Sequence, residues 1–104
     1  MEPEYNFQNG TAGTISLQIS GSVTVKHSKE FKENLIKCLD EKKLSEISLA
    51  EVESLDITAI QLLYLLKQEF KAAKRSLGLV APKNEEITDI IRRAGLSSIF
   101  ESQE

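Results

Sequence analysis

Residues 54–70 read Ser-Leu-Asp-Ile-Thr-Ala-Ile-Gln-Leu-Leu-Tyr-Leu-Leu-Lys-Gln-Glu-Phe. Asp56 stands immediately before an uninterrupted helical pattern, so its carboxylate can accept a hydrogen bond from the amide of Thr58 or Ala59, which no earlier helical turn satisfies. The apolar residues that follow recur at the spacing of one wide helical face: Ala59, Leu62, Leu63, Leu66, Phe70 and Ala73. The stretch therefore predicts a helix that begins after Asp56 and packs into a core.

Thr58 belongs to the first turn of this predicted helix. At roughly 100° per residue it lies about a quarter-turn from the middle of the apolar face, level with Leu65 and near Gln61. We therefore expect its hydroxyl to reach solvent, where a modifying enzyme or a partner can contact it. The alternative is an ordinary β-branched residue behind an ordinary capping carboxylate, and spacing alone favours that alternative.

Length and composition predict one soluble domain over residues 1–104. A chain of 104 residues can bury roughly two-thirds of the surface that its unfolded form exposes. The longest apolar run, Leu62 to Leu66, is too short to span a bilayer, so no membrane insertion is expected. The acidic start, Met1 to Tyr5, differs from a basic and then apolar secretory signal, which favours a cytoplasmic location.

Charge and cysteine content narrow the functional classes. Cys38 is the only cysteine, so no internal disulfide can form, and its apolar neighbours predict a small buried side chain. A net charge of -3 argues against nucleic acid as a partner, because binding to phosphates needs an excess of Lys and Arg on one face. Four cations cluster near the end of the predicted central helix, and we interpret them as a solvated face: Lys67, Lys71, Lys74 and Arg75.

Familiar catalytic and cofactor motifs are missing. The chain has no Gly-x-x-x-x-Gly-Lys phosphate loop, no Gly-x-Gly-x-x-Gly and no His-Glu-x-x-His. His27 is the single histidine, and its polar surroundings predict an exposed side chain and no catalytic triad. Glu85, Glu86 and Asp89 are explained by the positive end of a helix dipole. We therefore predict no catalytic residues, no metal site and no cofactor.

The rest of the chain alternates between strand and helix patterns. The predicted elements are an edge strand within residues 1–13, a half-buried strand over 14–20 ended by Gly21, a helix capped by Ser28 and running from Lys29 to about Lys43, a buried strand over 44–50, an interior strand over 76–81, and a helix from the Asn84 cap to Gly95. This order predicts an α/β fold in which helices pack on a mixed β-sheet with a parallel centre and an antiparallel N-terminal edge.

The predicted sheet also indicates where a site would lie. In open sheets of this type the functional surface lies beyond the C-terminal ends of the parallel strands. The segment from Val52 to Thr58 follows such a strand end. The topology and the exposed hydroxyl therefore indicate the same place.

The order of residues from Leu49 to Leu63 resembles the signature of STAS domains, the anti-sigma-factor antagonists of bacteria. In that family a strand and a loop lead to Asp-Ser-Ser-Gly or Asp-Thr-Ala-Gly, which opens a long apolar helix, as Asp56-Ile-Thr-Ala-Ile60 does here. Gly21-Ser-Val-Thr24 stands where the family has Gly-Glu-Leu-Asp, and Arg93 to Phe100 resembles its closing Thr-Gly-Leu-x-x-x-Phe segment. The resemblance covers nearly the whole chain and implies a STAS-like fold.

The resemblance also implies a role for Thr58. The second hydroxyl residue of the family motif accepts a phosphate from a partner serine kinase, which is also the anti-sigma factor, and this residue aligns with Thr58. The chain departs from the family pattern at Thr24 and Ser48, where the family has aspartates, and at Ala59, where glycine is usual. These departures imply a thinner acidic pocket around the site.

Three functions remain open at this point. The first is an anti-sigma-factor antagonist, which binds an anti-sigma factor/serine-threonine kinase or comparable regulator through Thr58, Gln61, Leu65 and Ile57, with Asp56 supporting the site and phosphorylation of Thr58 acting as the switch. The second is a STAS scaffold subunit of a lipid-transport or chemosensory complex, in which the same face docks unmodified. The third, an enzyme with Thr58 as nucleophile, lacks a base in the helix turn. The sequence leaves the oligomeric state open.

Overall fold

The structure, a computed structural model, describes residues 2–100, with Thr11 in its backbone only. Four strands and three helices follow one another along the chain: β1 (Glu4–Asn9), β2 (Ile15–Val23), α1 (Ser28–Asp40), β3 (Leu44–Leu55), α2 (Ile57–Ala72), β4 (Gly78–Val80) and α3 (Glu85–Arg93). Short 3-10 turns occupy Thr11–Gly13, Val25–His27 and Ser97–Phe100.

The strands form one sheet in the order β1-β2-β3-β4. β1 pairs antiparallel with β2, whereas β2 with β3 and β3 with β4 are parallel. This arrangement confirms the predicted mixed sheet with a parallel centre and an antiparallel N-terminal edge. Because α1 and α2 each connect two parallel strands, both helices run back against the strand direction and therefore point the same way.

The core lies between one face of the sheet and the helices. Leu17 and Ile19 of β2 are completely buried, and the residues between and beside them are polar and half-buried on the opposite face. This period of two predicts the observed strand, because successive side chains point to opposite faces. Phe31 of α1 and Phe70 of α2 are completely buried against the same cluster.

β2 and β3 are both longer than predicted. Gly21 does not end β2, which continues to Val23. It adopts a positive φ of 86°, and a Cβ there would lie 2.5 Å from the carbonyl oxygen of Glu2, so glycine permits both the backbone turn and the close approach. β3 continues beyond the predicted end at Ala50 to Leu55, through shifts of register with β2 that break the simple alternation.

β4 differs from the prediction in position. The apolar segment before Pro82 predicts an interior strand, but β4 lies at the edge of the sheet and pairs only with β3. Only Gly78–Val80 is strand. Leu77 and Leu79 are buried because they face the core, so their apolar character reflects one covered face and not a strand with two neighbours.

The entry to α1 also differs from the prediction. The helix begins at Ser28 itself and ends at Asp40, three residues before the predicted end. The 3-10 turn before it is held by His27, whose Nδ1 lies 3.2 Å from the Thr24 hydroxyl oxygen and accepts the Thr24 amide at 3.3 Å. His27 is therefore half-buried and not exposed as predicted, because its ring folds back onto the turn.

Two of the four clustered cations are not on a solvated face. Lys67 is only 4% exposed, and its ammonium donates to the carbonyl of Ile99. Arg75 is half-buried and donates to the carbonyls of Leu39 and Glu41 at 2.7 Å each, with its guanidinium 4.1 Å from the centre of the Phe70 ring. Lys71 is exposed as predicted. The prediction is therefore wrong for the two cations that fasten other segments to α2.

Other predictions are confirmed. The Asn84 side chain accepts the Glu86 amide at 2.9 Å and caps α3. Ile99 of the last 3-10 turn is buried in the core. Cys38 is completely buried, and burial raises the pKa of its thiol to about 12 against the smaller opposing influence of Arg75. Across residues 2–100, the helices are too short or too polar to cross a bilayer.

Candidate functional site

The start of α2 is fixed by one side chain and one backbone bond. Oδ1 of Asp56 accepts the Ala59 amide at 3.0 Å, which confirms the predicted cap. The Asp56 amide donates to the carbonyl of Val23 at 3.2 Å. Since Val23 ends β2, the second bond holds the first turn of α2 against the edge of the sheet.

Thr58 is the second residue of α2 and is exposed, as predicted. Gln61 is also exposed, and Ile57 and Leu65 expose 43% and 56% of their surface. At roughly 100° per residue, these four positions fall within about 100° of the helix circumference. The structure thus brings the four predicted partner-binding residues to one outer side of α2.

The buried side of α2 differs in part from the predicted apolar face. Ala59, Leu63, Leu66 and Phe70 are buried as predicted, whereas Leu62 is half-buried and Ala73 is exposed. Ile60 is completely buried although the predicted face omits it. The face is wider than the strict repeat indicates because α1, α3 and the C-terminal 3-10 turn all pack against α2.

An exposed apolar residue that the sequence does not single out lies at the same edge. Val25 exposes 68% of its surface in the 3-10 turn that follows β2. Because Val23 pairs with Leu55 at the parallel ends of β2 and β3, this turn lies beside the start of α2. An isolated valine after a strand carries no signal of its own in the sequence, so the exposure of Val25 could not be predicted.

The two positions at which the family has aspartates lie in different places. Thr24 lies at the site edge, where its hydroxyl contacts His27. Ser48 lies in the middle of β3 between the buried Ile47 and Leu49, so it faces the side of the sheet without helices. Seven residues of strand separate it from Leu55, roughly 20 Å. Ser48 is therefore not part of a pocket around Thr58, contrary to what the alignment implies.

A narrow apolar groove runs between the first two helices, and we name it the α1–α2 groove. Its volume is about 180 Å³ and its wall is almost wholly apolar. Its lining consists of Lys32, Leu35, Ile36, Leu39, Leu62, Leu65, Leu66 and Glu69. Leu62 lies one turn after Thr58, so the groove begins next to the site. The sequence gives one hint of it, since Ile36 interrupts the polar side of α1.

A wider concavity of about 630 Å³ lies on the other side of α1, against β1. Its lining is mostly polar and includes Glu30, Glu33 and Lys37. Burial, and secondarily the charge of Glu30, raises the pKa of the Tyr5 phenol at this concavity to about 12. Within residues 2–100, no three His, Cys, Asp or Glu side chains form a group that could hold a metal ion.

Comparison with known proteins identifies the class. The model of a protein family described as "Mlab, STAS domain" matches residues 7–101. The mixed sheet and the capped helix at its parallel edge are therefore those of a STAS domain. The chain belongs to the STAS-domain family. No curated protein sequence matches it.

Solved structures show the same fold. An anti-sigma factor antagonist from Mycobacterium paratuberculosis superposes with a TM-score of 0.82 at 16% identity, over 96% of this chain and 84% of that one. The Bacillus cell fate determinant SpoIIAA superposes in its phosphorylated form with a TM-score of 0.64 at 13% identity, over 89% and 85% of the two chains. Its unphosphorylated form gives 0.68 at 12% identity, over 89% and 82%. At these identities the similarity shows the fold alone.

Proposed function

We propose that this protein is an anti-sigma-factor antagonist that acts as a binding switch and not as an enzyme. It binds an anti-sigma factor with serine/threonine kinase activity, or a comparable regulatory protein, through the outer side of the first turns of α2. Phosphorylation of Thr58 releases the partner. The observation that carries the proposal is an exposed hydroxyl at the second position of a capped helix, on the same outer side as the exposed apolar side chains of Ile57 and Leu65.

The fold can accept a phosphate at this position. The kinase transfers the γ-phosphoryl group of ATP to Oγ1 of Thr58, the hydroxyl proton leaves to a base of the kinase, and ADP is released. The phosphate adds roughly -1.5 to -2 charges at a helix N-terminus, where backbone amides and the helix dipole favour anions. Since Thr58 is exposed, the new group displaces no core side chain.

A negative charge at Thr58 should weaken partner binding far more than it changes the stability of the fold. A partner surface that packs against Ile57 and Leu65 meets the neutral hydroxyl of Thr58 on the same side of α2. A phosphate or carboxylate there must be desolvated without a partner, at a cost of several kcal/mol. The single modification therefore changes the surface while the buried side of α2 keeps its packing.

Phosphopeptide mapping tests the site. The regulator is isolated from the native cell by its association with the full chain, and the two are incubated with ATP. We expect the phosphate on Thr58 and not on Ser54 or Ser97. A dominant phosphate on another residue would contradict the assignment of Thr58.

Titration calorimetry tests the switch with matched variants. Thr58→Glu should lose the regulator, whereas Thr58→Ser, which keeps a neutral hydroxyl, should bind like the wild type. Gln61→Ala should weaken binding while its free energy of unfolding stays unchanged, because the side chain is exposed. Wild-type affinity in Thr58→Glu would remove the switch.

A second candidate is a permanent scaffold subunit, as in a lipid-transport or chemosensory complex. The α1–α2 groove favours it, because an apolar groove beside Thr58 can hold a partner without any modification. This function predicts that the native protein is unmodified at Thr58 and co-purifies with a transporter ATPase or a receptor complex. Mass spectrometry of the native complex distinguishes the two functions.

A further inference from the structure

We propose that the α1–α2 groove receives one amphipathic helix of the partner regulator, acidic at the end beside Lys32 and basic at the end beside Glu69. The inference rests on the proposed function for the identity of the regulator. The nature of the occupant rests on the walls, the direction and the charges of the groove itself.

The walls favour an apolar occupant. Ile36 of α1 and Leu65 of α2 line the groove and are 49% and 56% exposed. Leu35 and Leu66 are buried deeper in the same groove. Leucine or isoleucine side chains of a partner would cover Ile36 and Leu65 and remove their apolar surface from water.

The occupant should be a helix and not a strand. The backbone groups of α1 and α2 along the groove are paired within their own helices, so the walls offer no ladder to an extended chain. A strand would hold its unpaired amides and carbonyls against apolar walls, which is unfavourable. A helix pairs its own backbone groups and presents apolar anchors at positions i, i+3, i+4 and i+7.

The charges give the groove a direction. α1 and α2 begin at the same edge of the sheet, so the positive ends of both helix dipoles lie at the end that Lys32 occupies. Glu69 lies near the opposite end, in the last turns of α2. Neither side chain forms an ion pair within the part of the chain that the structure describes. A helix with an acidic end at Lys32 and a basic end at Glu69 complements both.

This arrangement also connects the groove to Thr58. Thr58, Leu62 and Leu65 follow one another on the same side of α2, at the end of the groove where Lys32 lies. A phosphate on Thr58 would stand near the acidic end of the bound helix and compete with it for Lys32. Like charges repel, and the helix leaves the groove.

A synthetic peptide tests the occupant without the regulator. The probe is a fluorescent amphipathic helix of about four turns, with leucines on one face, glutamates in its first turn and lysines in its last. Anisotropy with the full chain should show binding that Lys32→Glu and Glu69→Lys each weaken about tenfold, within the range of close charge pairs across an interface. The matched controls Lys37→Glu and Glu33→Lys change α1 on the other side and should bind normally.

The double variant Lys32→Glu, Glu69→Lys sharpens this test. It should bind the peptide more tightly than either single variant, because the peptide can bind in the reverse direction with both charged ends paired, although its lysines then face the positive ends of both helix dipoles. A spin label at the basic end of the peptide should then broaden the NMR signals of amides near position 69 in the wild type and near position 32 in the double variant. Equal affinity for all variants would overturn the charge assignment, and self-association through Ile36 and Leu65 in sedimentation would overturn the occupant.

Binding measurements with the regulator distinguish a role of the groove from the proposed switch at Thr58. Ile36→Asp and Lys32→Glu should each weaken regulator binding at least tenfold, and the matched control Ile90→Asp, on exposed α3 surface, should not. Thermal melts confirm that each variant is folded. A regulator that is lost with Thr58→Glu but kept with both groove variants overturns the groove and leaves the switch. A regulator that is indifferent to Thr58→Glu but lost with both groove variants supports the groove and removes the switch.

Discussion

The two ends of α2 are held in different ways. Its first turn depends on the Asp56 cap and on one bond to the carbonyl of Val23. At its far end, Lys67 donates to the carbonyl of Ile99, and Arg75, three residues after the helix, donates to the carbonyls of Leu39 and Glu41 at the end of α1. Within residues 2–100, the side chains of Thr58 and Gln61 form no hydrogen bond comparable to these.

The far end of α2 therefore anchors the helix to the rest of the fold, whereas the near end exposes side chains to solvent. Lys67, Arg75 and Phe70 hold the far end of α2 in a fixed position against the core, so the near end can expose residues without loss of the fold. A modification at Thr58 then changes a surface and little else. If this comparison is correct, a substitution should lower the free energy of unfolding when the side chain it removes is bound to or packed against another segment. Whether that side chain is polar should matter less.

The largest loss of stability is expected at the buried side of α2. Leu63 is completely buried and Leu66 is 6% exposed, so Leu63→Ala and Leu66→Ala should each destabilise the fold by about 2 to 5 kcal/mol. Leu65→Ala is the matched control, because the same side chain is 56% exposed two residues away. Urea unfolding measures all three. An unchanged midpoint for Leu66→Ala would mean that the assigned core face is wrong.

The next effect is expected where a cation fastens the far end. Arg75→Met keeps an apolar stem over Phe70 but removes the donor from the Leu39 carbonyl and leaves the Glu41 carbonyl with the Leu44 amide alone, so we expect a loss of about 1 to 3 kcal/mol. Lys71→Met removes an exposed cation from the last turn of α2, four residues before Arg75, and should change the unfolding free energy by less than about 0.5 kcal/mol. Equal losses in both variants would show that Arg75 is an ordinary surface cation.

These cations show where sequence reasoning reached its limit. Local patterns predicted the Asp56 cap and the exposure of Thr58, because each depends on neighbours a few residues away, and the order of strand and helix patterns predicted the sheet type. The local patterns placed Lys67 and Arg75 in solvent, because their partners are carbonyls 32 and 36 residues away along the chain, at Ile99 and Leu39. Backbone carbonyls carry no mark in a sequence, so a cation that binds them has the same pattern as a solvated one.

The features of the site also divide into those set by nearby residues and those set by distant segments. Thr58, Gln61, Leu65 and Ile57 lie within about two and a half turns of one helix, so their common side follows from the helical period alone. The α1–α2 groove and Val25 could not be predicted, since each depends on how two distant segments pack at the sheet edge. Ser48 shows a different kind of error. The resemblance to the family assigns it to the site, but in the structure it lies in the middle of β3, far from Thr58.

A smaller loss is expected at the near end of α2. Asp56→Ala removes the acceptor of the Ala59 amide and should cost about 0.5 to 2 kcal/mol. The first turn that displays Thr58 then frays, so regulator binding falls indirectly. Asp56→Asn should recover most of the stability because an amide oxygen also caps. Thermal melts of the pair decide it, and a loss in Asp56→Asn equal to that in Asp56→Ala would assign the effect to charge and not to capping.

The smallest effect, and the one that defines the near end most sharply, is expected at Thr58 itself. A carboxylate in Thr58→Glu faces the positive end of the α2 dipole and should change stability by about 0.3 to 1 kcal/mol in favour of the folded state. The repulsion from the nearby Asp56 carboxylate opposes this gain, so the lower part of that range is expected. Thr58→Lys, of similar length and opposite charge, should lower the stability by a similar amount. Both differences should shrink in high salt, because the position is exposed and its interactions are screened.

Thermal melts at low and high ionic strength measure the two variants against Thr58→Gln, which has the length of glutamate without its charge. A loss of several kcal/mol in both charged variants would mean that Thr58 is packed against another segment, and the contrast between a displayed near end and a fastened far end would then fail.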